Sequence, residues 1–104
     1  MPKSPKEASK KLLHPKTADL IEDRNRIAAE LLLTDADLAV NFIAIADTSL
    51  DPDTTKRNIA NARKAYDDIC GRRGSVDMSP QNAKTLQQKL DKVREGLRFF
   101  GQSV

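Results

Sequence analysis

The chain has 104 residues, 38% hydrophobic and 32% charged, with a formal net charge of +3. That length gives room for one domain, and the absence of any run of about 18 apolar residues argues against a membrane span. With no Trp, three Phe and one Tyr, the core must be aliphatic and thin. A single cysteine, Cys70, allows no intramolecular disulfide and fits a reduced, cytoplasmic protein.

Residues 1–16, MPKSPKEASKKLLHPK, hold five Lys against one Glu. The segment lacks the apolar content to fold alone and reads as a flexible basic N-terminal tail. It has no apolar h-region, so it does not read as a secretory signal. Its lysines are either solubilising or an electrostatic arm for an anionic surface or nucleic acid.

Thr17 to Ser49 reads as helix. Thr17 is a candidate cap, and Leu20, Ile21, Ile27, Ala28, Leu31 and Leu32 form a stripe that continues through Leu38, Ala39, Phe42, Ile43 and Ala46. Thr34 or Asp35 offers a second cap inside it. One helix over about 17–49 therefore competes with two helices meeting near Thr34, and the uninterrupted stripe favours one. Over 17–50 seven acids face only Arg24 and Arg26, so the segment is acidic.

Asp51 to Gly71 carries the clearest helix signals. Asp51 is a natural N-cap, Pro52 suits the first helical position, and Asp53 meets the positive end of the helix dipole. Ile59, Ala62, Tyr66 and Ile69 share one face, with Ala65 and Cys70 beside it. Gly71 reads as the stop, at about residue 70, with Arg72 and Arg73 as helix-end cations. The other helices are expected to pack on this one. Ser79-Pro80 repeats the cap-then-proline start of a helix over about 80–100. Ala83, Leu86, Leu90, Val93, Leu97 and Phe100 then follow at heptad-type spacing. Phe99 falls off that seam, and Gly101 stops the helix. The last helix is basic, so it complements the acidic first one within a bundle or between two copies. The expected fold is all-α: a small antiparallel three-helix bundle over 17–104, or four helices if the first breaks near Thr34.

No catalytic constellation emerges. His14 is the only histidine and has no orienting partner. Cys70 reads as a small core residue. Asp67 and Asp68 are adjacent and point to different faces. No spacing suits zinc or calcium, and no glycine-rich phosphate loop is present. The expectation is therefore a non-enzyme with no catalytic or metal residues and no cofactor. Arg57, Asn58, Asn61 and Lys64 cluster on the second helix and are the candidate partner-binding residues.

Phe42-x-x-Ile45-Ala46 followed by Ala62-Arg63-Lys64-Ala65-Tyr66 resembles the helical hairpin of the tetratricopeptide (TPR) repeat, chiefly through the Ala-x-x-x-Tyr spacing. The likeness covers about residues 36–70. The first-helix signature is out of register, position 69 is Ile rather than a small residue, and no second repeat follows. With RNIANARKAYDDI and a Leu-rich last helix, the whole also resembles small bacterial helical proteins. The resemblance implies a protein-binding scaffold module; self-association as a homodimer is its special case, because an amphipathic helix over 17–49 exceeds what one small bundle covers. The alternative is a weak electrostatic nucleic-acid binder using the lysine-rich tail, whose affinity would fall steeply with salt.

Overall fold

The computed structural model describes residues 15–104, with side chains from residue 17. Three helices make up the fold: α1 (Pro15–Thr48), α2 (Pro52–Arg72) and α3 (Pro80–Phe99), with a short 3₁₀ turn at Arg73–Ser75. The lysine-rich segment and His14 lie outside the described residues, apart from the backbone of Pro15 and Lys16. Among the described residues there is no strand, and no helix is long and apolar enough to cross a membrane.

The local signals for α2 and α3 act where the chemistry puts them. Asp51 is extended, its carboxylate accepts from the Thr54 N–H, and Pro52 opens α2. Ser79 does the same for α3, its hydroxyl accepting from the Asn82 N–H ahead of Pro80. At the far end of α3, Gly101 adopts φ +85°. The Gln102 N–H then reaches back to the Leu97 carbonyl at 2.9 Å, closing the helix with a left-handed cap. Arg63 and Arg98 donate to the carbonyls of Ser103 and Val104, holding the C-terminal residues against the bundle.

Two local expectations are corrected. Gly71 does not stop α2: it stays helical, and the Arg73 N–H still bonds to the Ile69 carbonyl as the helix tightens into the 3₁₀ turn. Glycine permits the left-handed conformation but does not impose it, and here α2 continues to a tie between Arg72 and Asp35 of α1. Thr17 is not a cap either, because α1 already begins at Pro15.

α1 runs unbroken through Thr34 and Asp35. At 1.5 Å per residue its 34 residues span roughly 51 Å, against about 30 Å for each of the others. The three-residue link between α1 and α2 makes them an antiparallel hairpin. α3 runs antiparallel to α2 and alongside α1 in the same direction, as the Asp37–Lys89 ion pair and the Ile43–Gly96 approach together show. α1, rather than α2, is the organising element, because it packs extensively on both other helices while α2 and α3 touch each other less.

The core has two adjoining clusters. Leu32, Ala36, Ile69, Leu86 and Leu90 form one; Ala39, Ala62, Val93 and Leu97 form the other. Tyr66 bridges both from a half-buried position. The small buried residues of α1 and α2 let the helices approach closely. α1 and α3 also meet closely at Gly96, where an added Cβ would lie 2.5 Å from Cγ2 of Ile43. The apolar stripe of α1 is not one face but two. Ala29, Leu32, Ala36, Ala39 and Ala46 are buried, whereas Leu20, Ile21, Ile27, Leu31, Leu38 and Ile45 are exposed. Cys70 is exposed too, because Ile69 takes the inward position at that turn.

Candidate interaction groove

Between α1 and α2 an open groove of about 480 Å³ is lined by Asp35, Leu38 and Phe42 from one helix and Asn61, Lys64, Ala65 and Asp68 from the other. Asp35, Leu38 and Phe42 are three and four residues apart, as are Asn61, Lys64 and Asp68 with Ala65 beside them, so each set lies on one face of its helix. The antiparallel hairpin sets these faces side by side. The floor is apolar, made by Leu38, Phe42 and Ala65, and the rim carries the charges and the Asn61 amide.

One end of the groove is closed electrostatically. The Arg72 guanidinium lies 3.0 Å from the Asp35 carboxylate and 2.9 Å from that of Asp68. The hydrogen bond to Asp35 is the main reason the guanidinium is held above its ordinary pKa, with the Asp68 charge adding to it. A cation so engaged at both sides is a strut between α1 and α2 rather than a waiting anion site. All three side chains are partly solvated, so the strut contributes orientation more than stability.

The four candidate residues on α2 divide. Asn61 and Lys64 line the groove. Asn58 does not, because its amide donates to the Thr54 carbonyl of its own helix at 2.8 Å. Arg57 is also away from it, beside the Thr54 hydroxyl at 3.4 Å. Asp35, Leu38, Phe42, Ala65 and Asp68 were missed as site residues. The same-face spacing 35/38/42 opposite 61/64/65/68 is present in the sequence, but there Leu38 and Phe42 belong to the apolar stripe of the first helix and Asp35 reads as a possible cap.

A second depression, of about 660 Å³, lies on the other side of α2. Ile59, Ala60, Arg63, Lys64 and Phe100 are among its walls. Arg63 there is committed to Asp67 and to the C-terminal residues. Burial pushes the Tyr66 phenol above its ordinary pKa, and the neighbouring Cys70 thiol acts in the same direction. Among the described residues no group of three or more His, Cys, Asp and Glu side chains is placed to hold a metal ion.

No family model, curated protein or solved structure matches this chain.

Proposed function

We propose that the protein is a non-enzymatic interaction module that accepts an amphipathic helix along the α1–α2 groove. The observation that carries this reading is the apolar floor of Leu38, Phe42 and Ala65, lying open between two helices and edged by Asp35, Lys64 and Asp68. A floor and rim of this kind fit helix-in-groove recognition, in which apolar anchors at helical spacing fill the floor and the rim sets orientation. A helical hairpin of tetratricopeptide type is one scaffold that would present such a groove.

The nucleic-acid reading draws no support from the helices. Outside residues 1–16 the chain carries thirteen basic and fourteen acidic residues, so the folded body lacks a basic excess to follow a phosphate backbone.

The test is affinity capture from host lysate with the parent and with Leu38→Asp, each with and without nuclease. A discrete protein retained by the parent through nuclease and lost with Leu38→Asp supports the groove. Capture that is indifferent to Leu38→Asp, or that vanishes with nuclease, counts against it.

A further inference from the structure

The exposed aliphatic residues of α1 form a second seam. Leu20, Ile27, Leu31, Leu38 and Ile45 are spaced seven, four, seven and seven residues apart. At 100° per residue they fall on one line along the helix, well away from the buried line of Ala29, Leu32, Ala36 and Ala39. Each is between 45% and 65% exposed. The line runs for nearly four heptads, the length at which such a pattern signals a coiled-coil partner. An apolar line of this length, interrupted only by Arg24, Thr34 and Asn41, is unusual on a surface with no partner.

The first part of α1 makes the need for a partner plainer. From Thr17 to Ala28 no side chain is buried, and the first buried one is Ala29. This overhang is nevertheless amphipathic. Ala18, Leu20, Ile21, Asn25, Ile27 and Ala28 lie on one side, interrupted by the single charge of Arg24, and Asp19, Glu22, Asp23 and Arg26 lie on the other.

We infer that the occupant of the groove and seam is a second copy of this chain, its α1 packed antiparallel on the first about a two-fold axis near Leu31–Thr34. This deepens the groove reading and rests on it. The argument is self-complementarity of the sequence. Antiparallel pairing centred there sets Leu20 against Ile45, Ile27 against Leu38, Leu31 against Thr34 and Arg24 against Asn41 of the second copy. Large aliphatic residues face one another at two levels, Leu31 meets the short Thr34, and the polar seam residues Arg24 and Asn41 face each other. The same register brings Ile21 alongside Phe42, so the Leu20–Ile21 side of each overhang lies along the apolar floor of the other copy's groove. Parallel pairing would instead stack Arg24 on Arg24, and would set overhang on overhang with both grooves unfilled.

One like-charge approach results, between Glu30 and Asp37 of the two copies. Asp37 is already paired with Lys89 of its own α3, which offsets that repulsion. Closed two-fold symmetry uses each surface once in each direction, so both overhangs and both grooves are covered in a single dimer.

The experiment uses the full chain. Sedimentation equilibrium is expected to give twice the 11.5 kDa chain mass. Ile27→Glu and Leu38→Glu alter exposed positions; each is expected to leave the helical circular dichroism unchanged and to raise the dimer dissociation constant by roughly 30-fold or more, a hot-spot-sized loss. Register is read by oxidation in a Cys70→Ser background. Ile27→Cys with Leu38→Cys should crosslink two chains, while Ile27→Cys alone should not. Crosslinking by Ile27→Cys alone means a parallel pair and overturns the proposal, as does a dimer indifferent to both glutamates. A monomer at all concentrations that still captures a lysate protein through Leu38 overturns the second copy and leaves the groove reading standing. A monomer that captures nothing removes both.

Discussion

The two parts of α1 are one continuous helix with different fates. From Ala29 onward it buries a line of small and large apolar side chains against α2 and α3; before Ala29 it buries none. Both parts are amphipathic, and no Gly or Pro follows Pro15 in the helix. The difference lies in what is available to pack against, because α2 and α3 are each about 20 residues long and cannot cover a helix of 34. Amphipathic pattern specifies that a face is to be buried; it does not specify by what.

The sharpest way to break this comparison is to truncate one side chain in each part. Leu90, fully buried against Leu32, Ala36 and Ile69, should cost about 2–5 kcal/mol as Leu90→Ala, read by thermal or urea unfolding. Ile27→Ala, half exposed on the overhang, should stay within about 0.5 kcal/mol at protein concentrations low enough to keep the chain monomeric. If its cost grows with concentration, the overhang is buried by association.

Overfilling probes how closely the packed part is fitted. Ala62→Leu and Gly96→Ala each add atoms where the helices meet, and each should lose about 1–3 kcal/mol. Gly96→Ala is the more informative, because in an exposed helix the same change would stabilise by about 1 kcal/mol. A Gly96→Ala variant that melts above the parent would show that α1 and α3 are not pinned at Ile43.

The cap of α3 should give a smaller effect. Ser79→Ala should lose about 1 kcal/mol, with hydrogen exchange quickening first in the initial turn of α3. The smallest effect concerns Asp51, whose carboxyl is held below its ordinary value of 3.8, chiefly by the Thr54 hydroxyl. A depressed folded-state value means that its contribution is complete above that ordinary value and fades as pH falls through the folded one. The parent should therefore lose a small increment of stability on acidification that Asp51→Asn does not. Parallel acid profiles for the two proteins would dismiss the cap as a source of pH dependence.

Much of the fold was legible because capping is local chemistry. Asp51-Pro52, Ser79-Pro80 and Gly101 each act through groups within a few residues, and Leu86, Leu90, Val93 and Leu97 fall on the only apolar face α3 has. What was not legible depended on neighbours distant in sequence. Cys70 and Ile69 are both candidates for an inward position, and only the angle of α2 against α1 decides between them. Gly71 was read as a stop although its neighbour Arg72 reaches Asp35 on another helix. Gly96 carries no local signal, since the atom it makes room for is on Ile43. For the groove, Asn61 and Lys64 were found as polar residues on one face. Leu38, Phe42 and Ala65 were read as core, because a sequence does not say which of two apolar faces the bundle will take.

The direction of α3 bears on how the chain folds. α1 and α2 meet across a three-residue link, whereas α3 reaches α1 through contacts such as Asp37–Lys89, 52 residues apart. Loop-closure entropy makes the first association the less costly search and the second the more costly one. The expectation is a transition state with the α1–α2 hairpin formed and α3 not yet docked. In a chevron experiment Ala62→Leu would then slow folding, while Leu90→Ala would mainly speed unfolding. The reverse pattern would place the docking of α3 before the barrier.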